Sequence, residues 1–222
     1  MPRAASEWPG AGPWLPSRPT VGRLASAMAG CRGCSLHIDA TQVVPGSGPD
    51  DASIMLVGEQ PGDREDRVGE PFVGPAGQVL DRALEQVGID PGSVFRTNAV
   101  KHFRFERRGS NRLHKSPARW QVAACQPWLL AELDAVRPPV VVLLGATAAQ
   151  SVYGPSFRVQ AQRGRELSWP AELEGPTPSV VVPTIHPAAV LRSRQREETY
   201  AGLVADLRVA EAAARSAPTS SA

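Results

Sequence analysis

Few residues in this chain of 222 can do more than pack or solvate. Cysteines occur at 31, 34 and 125, and histidines at 37, 102, 114 and 186. Cys31 and Cys34 form a Cys-x-x-Cys pair, a ligand spacing shared by zinc and iron–sulfur sites. His114 lies in "GSNRLHKSP" (109–117), a turn-forming, basic stretch in which protonation of the imidazole is discouraged by neighbouring cations. His186 is followed by Pro187 in "TIHP". The run "VGEQPGDREDRVGEPFVGPAG" (57–77) is rich in glycine but lacks the Gly-Lys-Ser/Thr ending of a phosphate loop. Such a backbone can approach a flat ligand closely, with Phe72 available to stack on it.

The elements that must carry these residues alternate. Short Val/Ile/Leu runs predict strands at 53–57, 94–100, 140–145 and 180–185, each bounded by Gly, Pro or polar residues, as in a sheet covered on both faces. Between them, apolar residues at helical spacing predict helices over 75–88 and 116–133, the latter with Ser116 as N-cap and Pro117 in the first turn. Further helices are expected in "GATAAQSVYG" and in "REETYAGLVADLRVAEAAA". This order predicts an α/β fold, a three-layer α/β/α sandwich with a central, mostly parallel four-stranded sheet. Ligands of such sheets bind beyond the carboxyl ends of the strands, where "GEQPG", "NAVKH" and "HP" all fall.

Bulk properties narrow the function. A hydrophobic fraction of 42% suits one globular domain, and no apolar run is long enough to span a bilayer. Residues 1–25, dense in Pro and Gly and without a signal-peptide pattern, are expected to be a mobile tail ahead of a domain at 26–215, with 216–222 disordered. Three cysteines and no export signal point to the cytoplasm, where cysteines more often bind metal than pair. The net charge of +2 hides an asymmetry: from Arg96 to Arg119, six Arg and two Lys meet one acid, a local +7, so the remainder carries −5. A basic block on an otherwise acidic domain suits a polyanion such as DNA.

Four motifs in order, "GEQPGDREDRVGEPFVGPAG", "TNAVKHF", an insert ending "RLHK" and "TIHP", together with the Cys-x-x-Cys pair, resemble the uracil-DNA glycosylase superfamily over residues 25–210. Within it the chain is most similar to the family-4-like branch known as UdgX, which is marked by Gln60, where ordinary family-4 proteins have Ala, and by the histidine-bearing insert. The resemblance implies recognition and excision of uracil from DNA in repair. Gly58 and Phe72 would lie against the flipped base, with Phe72 stacking on it. Asn98, with both an acceptor and donors, would read the imide edge of uracil, where cytosine presents the opposite polarity. His186 would donate to uracil O2 as negative charge develops there. Gln60 would lie at the base or sugar, and Glu59 would orient groups around C1′. His114 would attack C1′ and leave the protein covalently bound to DNA, while Arg107, Arg108, Arg112 and Lys115 would keep its imidazole neutral and contact phosphates.

One departure stands out: the branch carries Lys-Arg-Arg-Ile-His where this chain reads Ser110-Asn111-Arg112-Leu113-His114. The resemblance also implies a [4Fe–4S] cluster on Cys31, Cys34, Cys125 and His102, the last standing where family-4 proteins have a cysteine; structural zinc is the alternative, since Cys₃His also suits it. Single-stranded DNA is an expected partner, and a monomer is the expected state. Alternatives to capture are a turnover glycosylase that leaves an abasic site, a non-catalytic uracil-binding module, or a zinc-stabilised domain with an unrelated nucleotide ligand.

Overall fold

A computed structural model describes residues 7–173, 175 and 177–217. Four strands, β1 (Ile54–Gly58), β2 (Phe95–Asn98), β5 (Val140–Leu144) and β6 (Val180–Thr184), form one all-parallel sheet in the order β2-β1-β5-β6. The three-layer α/β/α sandwich expected from the sequence is therefore the fold. Period-two alternation along each strand divides the core in two. Ile54, Leu56, Val140, Val142, Leu144 and Val182 face α3 (Pro75–Gln86), α7 (Ala188–Arg192) and α8 (Arg196–Ser216). Met55, Val57, Val141, Leu143 and Val181 face the other way, towards α4 (Arg119–Val136) and α5 (Ala146–Tyr153). Two short helices, α2 (Asp63–Val68) and α6 (Val159–Gln162), complete the connections.

Three segments differ from expectation. Residues 7–25, expected as a mobile tail, are laid against the domain. Gly10 N–H donates to the Gly33 carbonyl at 3.0 Å and Ala11 N–H to that of Ala124 at 2.8 Å, and α1 (Val21–Met28) buries Leu24 and Met28 in a cluster with Trp128. Only two buried residues mark α1, too few to show as periodicity. At the other end α8 runs through Ser216, and 218–222 lie outside the described residues.

The insert, expected as a loop, is an antiparallel hairpin of β3 (Phe105–Arg108) and β4 (Asn111–His114). Its two-residue connection places Gly109 at φ +61°, which glycine adopts without strain, as tight hairpin turns require. The ladder continues with Lys115 N–H donating to the Arg104 carbonyl at 3.0 Å, and Arg104 Nη1 binds the Ser116 carbonyl at 2.6 Å. Ser116 is thereby held outside the helix. α4 starts two residues later than the Ser-Pro signal suggests, with Gln121 Oε1 accepting from Ala118 N–H at 2.8 Å.

Candidate active site

The strand ends converge on a cleft of about 690 Å³ whose walls include Glu59, Gln60, Phe72, Asn98, His114 and His186. Its floor depends on a missing side chain. Parallel register pairs Gly58 with Asn98, and a Cβ at residue 58 would lie 2.3 Å from Asn98 Oδ1 and 2.7 Å from the Phe72 ring edge. Only glycine lets amide and ring share that floor. Phe72 itself has φ +59°, a conformation that costs a bulky residue about 1–3 kcal/mol and persists only where surroundings impose it. Here Glu65 Oε1 accepts from Gly74 N–H at 2.9 Å, and Gly77 leaves space for the Phe72 carbonyl, which a Cβ would meet at 1.7 Å. The Phe72 ring lies 6.3 Å from that of His186 at 23°, nearly parallel. Asn98 is buried, and among the described residues no protein group hydrogen-bonds its side-chain amide. Its donors and acceptor remain available to a ligand.

His186 is held neutral. Burial above all, then the charges of Arg192 and His114, push its pKa down to about 4. Its Nδ1 accepts from Ala188 N–H at 3.2 Å, so the ring proton belongs on Nε2, which becomes a neutral donor. Glu59 opens the other wall. The Thr147 hydroxyl donates to its Oε2 in a very short hydrogen bond, and Oε1 lies 3.5 Å from His114 Nε2. A carboxylate next to an imidazole, at the mouth of a cleft floored by an amide and an aromatic ring, can stabilise a cation that forms between them.

The hairpin reaches this point because it is clamped. Arg112 binds Asp63 through Nε and Asp66 Oδ2 through Nη1 at 2.6 Å, and Nη1 also reaches Thr41 Oγ1 at 3.0 Å. Its side chain is 7% exposed and lies over the rings of Phe103 at 5.5 Å and Phe105 at 5.0 Å. Against a burial penalty, hydrogen bonds from Arg67 and Arg112 hold the Asp63 carboxyl below its usual range. Arg112, expected on phosphate, is thus a structural clamp, its guanidinium held by two carboxylates, the Thr41 hydroxyl and the Asp63 carbonyl.

Gln60 also departs from expectation. It lines the cleft, yet its Nε2 donates to the carbonyls of Arg104 and Lys115 at 3.1 Å each, and its Oε1 accepts from Arg104 N–H at 3.1 Å. Its amide staples the two strands at their base and is not turned to a base or sugar. Of the other cations, Lys115 is exposed and paired with Glu106 at 2.9 Å, Arg107 lies over Phe105 at 5.4 Å, and Arg108 is exposed at the tip. Thr147, Asp63, Asp66 and Thr41 carried no assignable signal: a threonine inside a helix and acids within "GDRED" read as ordinary polar surface.

The three thiols are gathered. Cys31, Cys34 and Cys125 are buried in one cluster with Trp128 and carry no disulfide. Trp128 Nε1 donates to Cys31 Sγ, and Lys101 N–H to Cys125 Sγ, both at 3.3 Å. Burial raises Cys34, and raises Cys125 to about 12, with each sensing Cys31 as a further unfavourable charge. Such thiols ionise only with a cation among them, which a metal centre would provide. His102 is neutral, driven to about 4 by burial first and then by His37, but the charges acting on it are those of His37, Asp66 and Arg32. Among the described residues no group of three or more His, Cys, Asp or Glu, the three thiols included, converges tightly enough to hold a metal ion. Among them, too, no helix is long and apolar enough to cross a membrane.

An Asn, a His-Pro and a Glu thus stand at the ends of parallel strands around one cleft. Residues 45–208 match the model of the uracil DNA glycosylase superfamily, and the chain belongs to that family. It is 40% identical over 168 residues to a type-4 uracil-DNA glycosylase of Thermotoga maritima, covering 75% of this chain and 81% of that protein. Identity to the type-4 enzyme of Archaeoglobus fulgidus is 37% over 177 residues, covering 77% and 82%. That of Sulfurisphaera tokodaii shares 34% over 174 residues, covering 76% and 74%.

Two outcomes follow from this geometry. Gln60→Ala removes the staple, so amides of β3 and β4 should exchange with solvent roughly tenfold or more faster while the melting temperature of the domain changes little; unchanged hairpin exchange would remove the clamp. His186 is depressed on folding, so the unfolded chain takes up a proton that the folded one refuses between pH 6.5 and about 4, and stability falls as pH drops through that window. Denaturant titrations of wild type and His186→Asn at pH 7 and pH 4.5 should differ, with the variant losing about 2 kcal/mol less on acidification. Equal losses would show that burial does not hold His186 neutral.

Proposed function

We propose that the protein excises uracil from DNA and is captured at C1′ through His114. Membership of the glycosylase superfamily and the type-4 relatives support uracil-DNA glycosylase activity in DNA repair. The finer reading is carried by one observation: the His114 ring stands 3.5 Å from the Glu59 carboxylate at the cleft mouth, on a hairpin fastened at two points.

The reaction runs as follows. The uridine leaves the base stack and enters the cleft, at a cost of a few kcal/mol that is smaller on a single strand. Phe72 lies against the ring and the Asn98 amide reads its imide edge. The C1′–N1 bond breaks with its electron pair leaving on uracil, and the Nε2–H of His186 donates to O2, where that charge gathers. Positive charge spreads over C1′ and the ring oxygen, opposite Glu59. A lone pair of the His114 imidazole forms the new N–C1′ bond, and the resulting imidazolium gives its remaining ring proton to water. Uracil anion takes a proton from solvent. Arg107, Arg108 and Lys115 reach flanking phosphates, so affinity should fall with salt. Turnover by water is the second reading; the half-exposed His114 and the Ser110-Asn111 departure in its hairpin favour it.

We assign the thiols of Cys31, Cys34 and Cys125 to a structural [4Fe–4S] cluster, with His102 proposed as fourth ligand. A single zinc needs all its ligands about 2.0–2.3 Å from one point, whereas a four-iron cube spreads them over four corners. Thiols that share a pocket without converging suit the cube. When bound, the cluster would tie the segment before β1 to α4.

Two measurements test these assignments. Incubated with a single-stranded uracil-containing oligonucleotide and resolved under denaturing conditions, the protein should give a heat- and SDS-stable shifted band that His114→Ala lacks. An alkali-labile strand without the shift means turnover; intact DNA with uracil retained removes catalysis altogether. Protein prepared without oxygen should hold about four iron and four acid-labile sulfide per chain; stoichiometric zinc would replace the cluster.

A further inference from the structure

Lys101 lies three residues beyond β2 and is 1% exposed. A buried ammonium is costly unless each of its protons finds an acceptor. Here Nζ donates to Glu132 Oε2 at 2.6 Å, to Thr97 Oγ1 at 2.6 Å and to the main-chain carbonyl of Asn98 at 2.7 Å. Glu132, 2% exposed, accepts from the Thr97 hydroxyl at 2.6 Å and from Gly46 N–H at 2.9 Å. Nothing in an α/β sandwich requires an ion pair at this depth, and apolar replacements of buried pairs are often neutral or stabilising.

What the pair does fix is one peptide unit. The carbonyl of peptide 98–99 is taken by Lys101, and its N–H, that of Ala99, donates to the Gly58 carbonyl at 2.9 Å. With the plane held from both ends, the Asn98 side chain has few rotamers left, and the close approach of Gly58 and Phe72 narrows them further. The same lysine's main-chain N–H reaches Cys125 Sγ at 3.3 Å, so the lock is continuous with the thiol cluster.

We propose that Lys101, held by Glu132, is the positioning residue for uracil recognition: it fixes the 98–99 peptide and thereby aims the Asn98 amide at the imide edge of the base. This rests on the uracil-excision reading and adds a specificity determinant to it.

The test pairs Lys101→Met with Glu132→Gln, which removes both charges together and keeps an acceptor for Gly46 N–H. The single-turnover rate of uracil excision and the inhibition constant of free uracil are measured in wild type, the double variant, Asn98→Ala and the combination, with iron content and melting as controls on the fold. The expected result is a roughly tenfold weaker inhibition by uracil and a similarly slower excision in the double variant. Both effects should vanish in the Asn98→Ala background, because a residue that acts through Asn98 has nothing left to position. Losses that add in the two backgrounds, or uracil inhibition equal to wild type, overturn the proposal. Thr97→Val, nearly isosteric, carries the same cycle should the double variant lose its cooperative melt: about a threefold, non-additive loss supports it, and an additive or absent one overturns it. Failure of wild type to release uracil from DNA would instead strike the excision reading, a result separable from any of these.

Discussion

A two-stranded hairpin is marginal on its own in water, and His114 is the last residue of one. Whatever holds that hairpin decides whether an imidazole stands at the cleft. The register pairs Phe105 with His114 and Arg107 with Arg112, so Arg112 and His114, two apart on β4, project to one face. That face is the one Asp63 and Asp66 grip. Removing one partner of an ion pair this buried costs about 3–5 kcal/mol, far more than a surface pair contributes. Fixing Arg112 therefore fixes the direction of His114. Gln60 closes the other end by joining Arg104 to Lys115, the residues that bracket the hairpin. The Gly-rich loop thus contributes twice: Glu59 faces His114 at the cleft mouth and the next residue holds the strand opposite.

Much of this was legible in residue order because it obeys short-range rules. β1, β5 and β6 read as runs rich in Val, Ile and Leu, β2 is Phe-Arg-Thr-Asn, and all four were found to within a residue at their starts. Glu59, Asn98 and His186 meet in one cleft because parallel strands end together, whereas Phe72 arrives on the Gly-rich loop and His114 on the clamped hairpin. The failures were of another kind. Arg112 was placed on phosphate by residue type and Gln60 at the base or sugar by resemblance, whereas the partners in these hydrogen bonds lie 44–55 positions away in sequence and follow from tertiary contact alone. β3 and β4 escaped notice because Glu, Arg and Asn dominate them; what makes them strands is the clamp and the turn at Gly109 rather than β-propensity.

The two cleft imidazoles stand in different electrostatic settings. His186 is neutral because burial disfavours its charged form, and its tautomer is fixed by a backbone N–H. The role proposed for it needs no lone pair on the working nitrogen, only a proton that does not leave. His114 is half exposed, and the capture proposed for it needs the reverse, a lone pair directed at carbon. The basic block explains less of this than its sequence suggests: Arg112 is neutralised by Asp63 and Asp66, and Lys115 by Glu106. The charge that acts on His114 at close range is the Glu59 carboxylate.

That proximity bears on capture against hydrolysis. A carboxylate that activates water must have an oxygen free to take its proton, placed where the water attacks C1′. One Glu59 oxygen is already bound by the Thr147 hydroxyl, and the other faces His114 Nε2. Arg112 and Gln60 hold the strand that carries the ring facing that oxygen. On the proposed reading, a clamped hairpin favours nitrogen over water as the group that meets C1′. Loosening the clamp should then move the chemistry towards turnover before it lowers affinity for uracil, since Asn98 and His186, proposed to contact the base, stand at the ends of sheet strands and not on the hairpin.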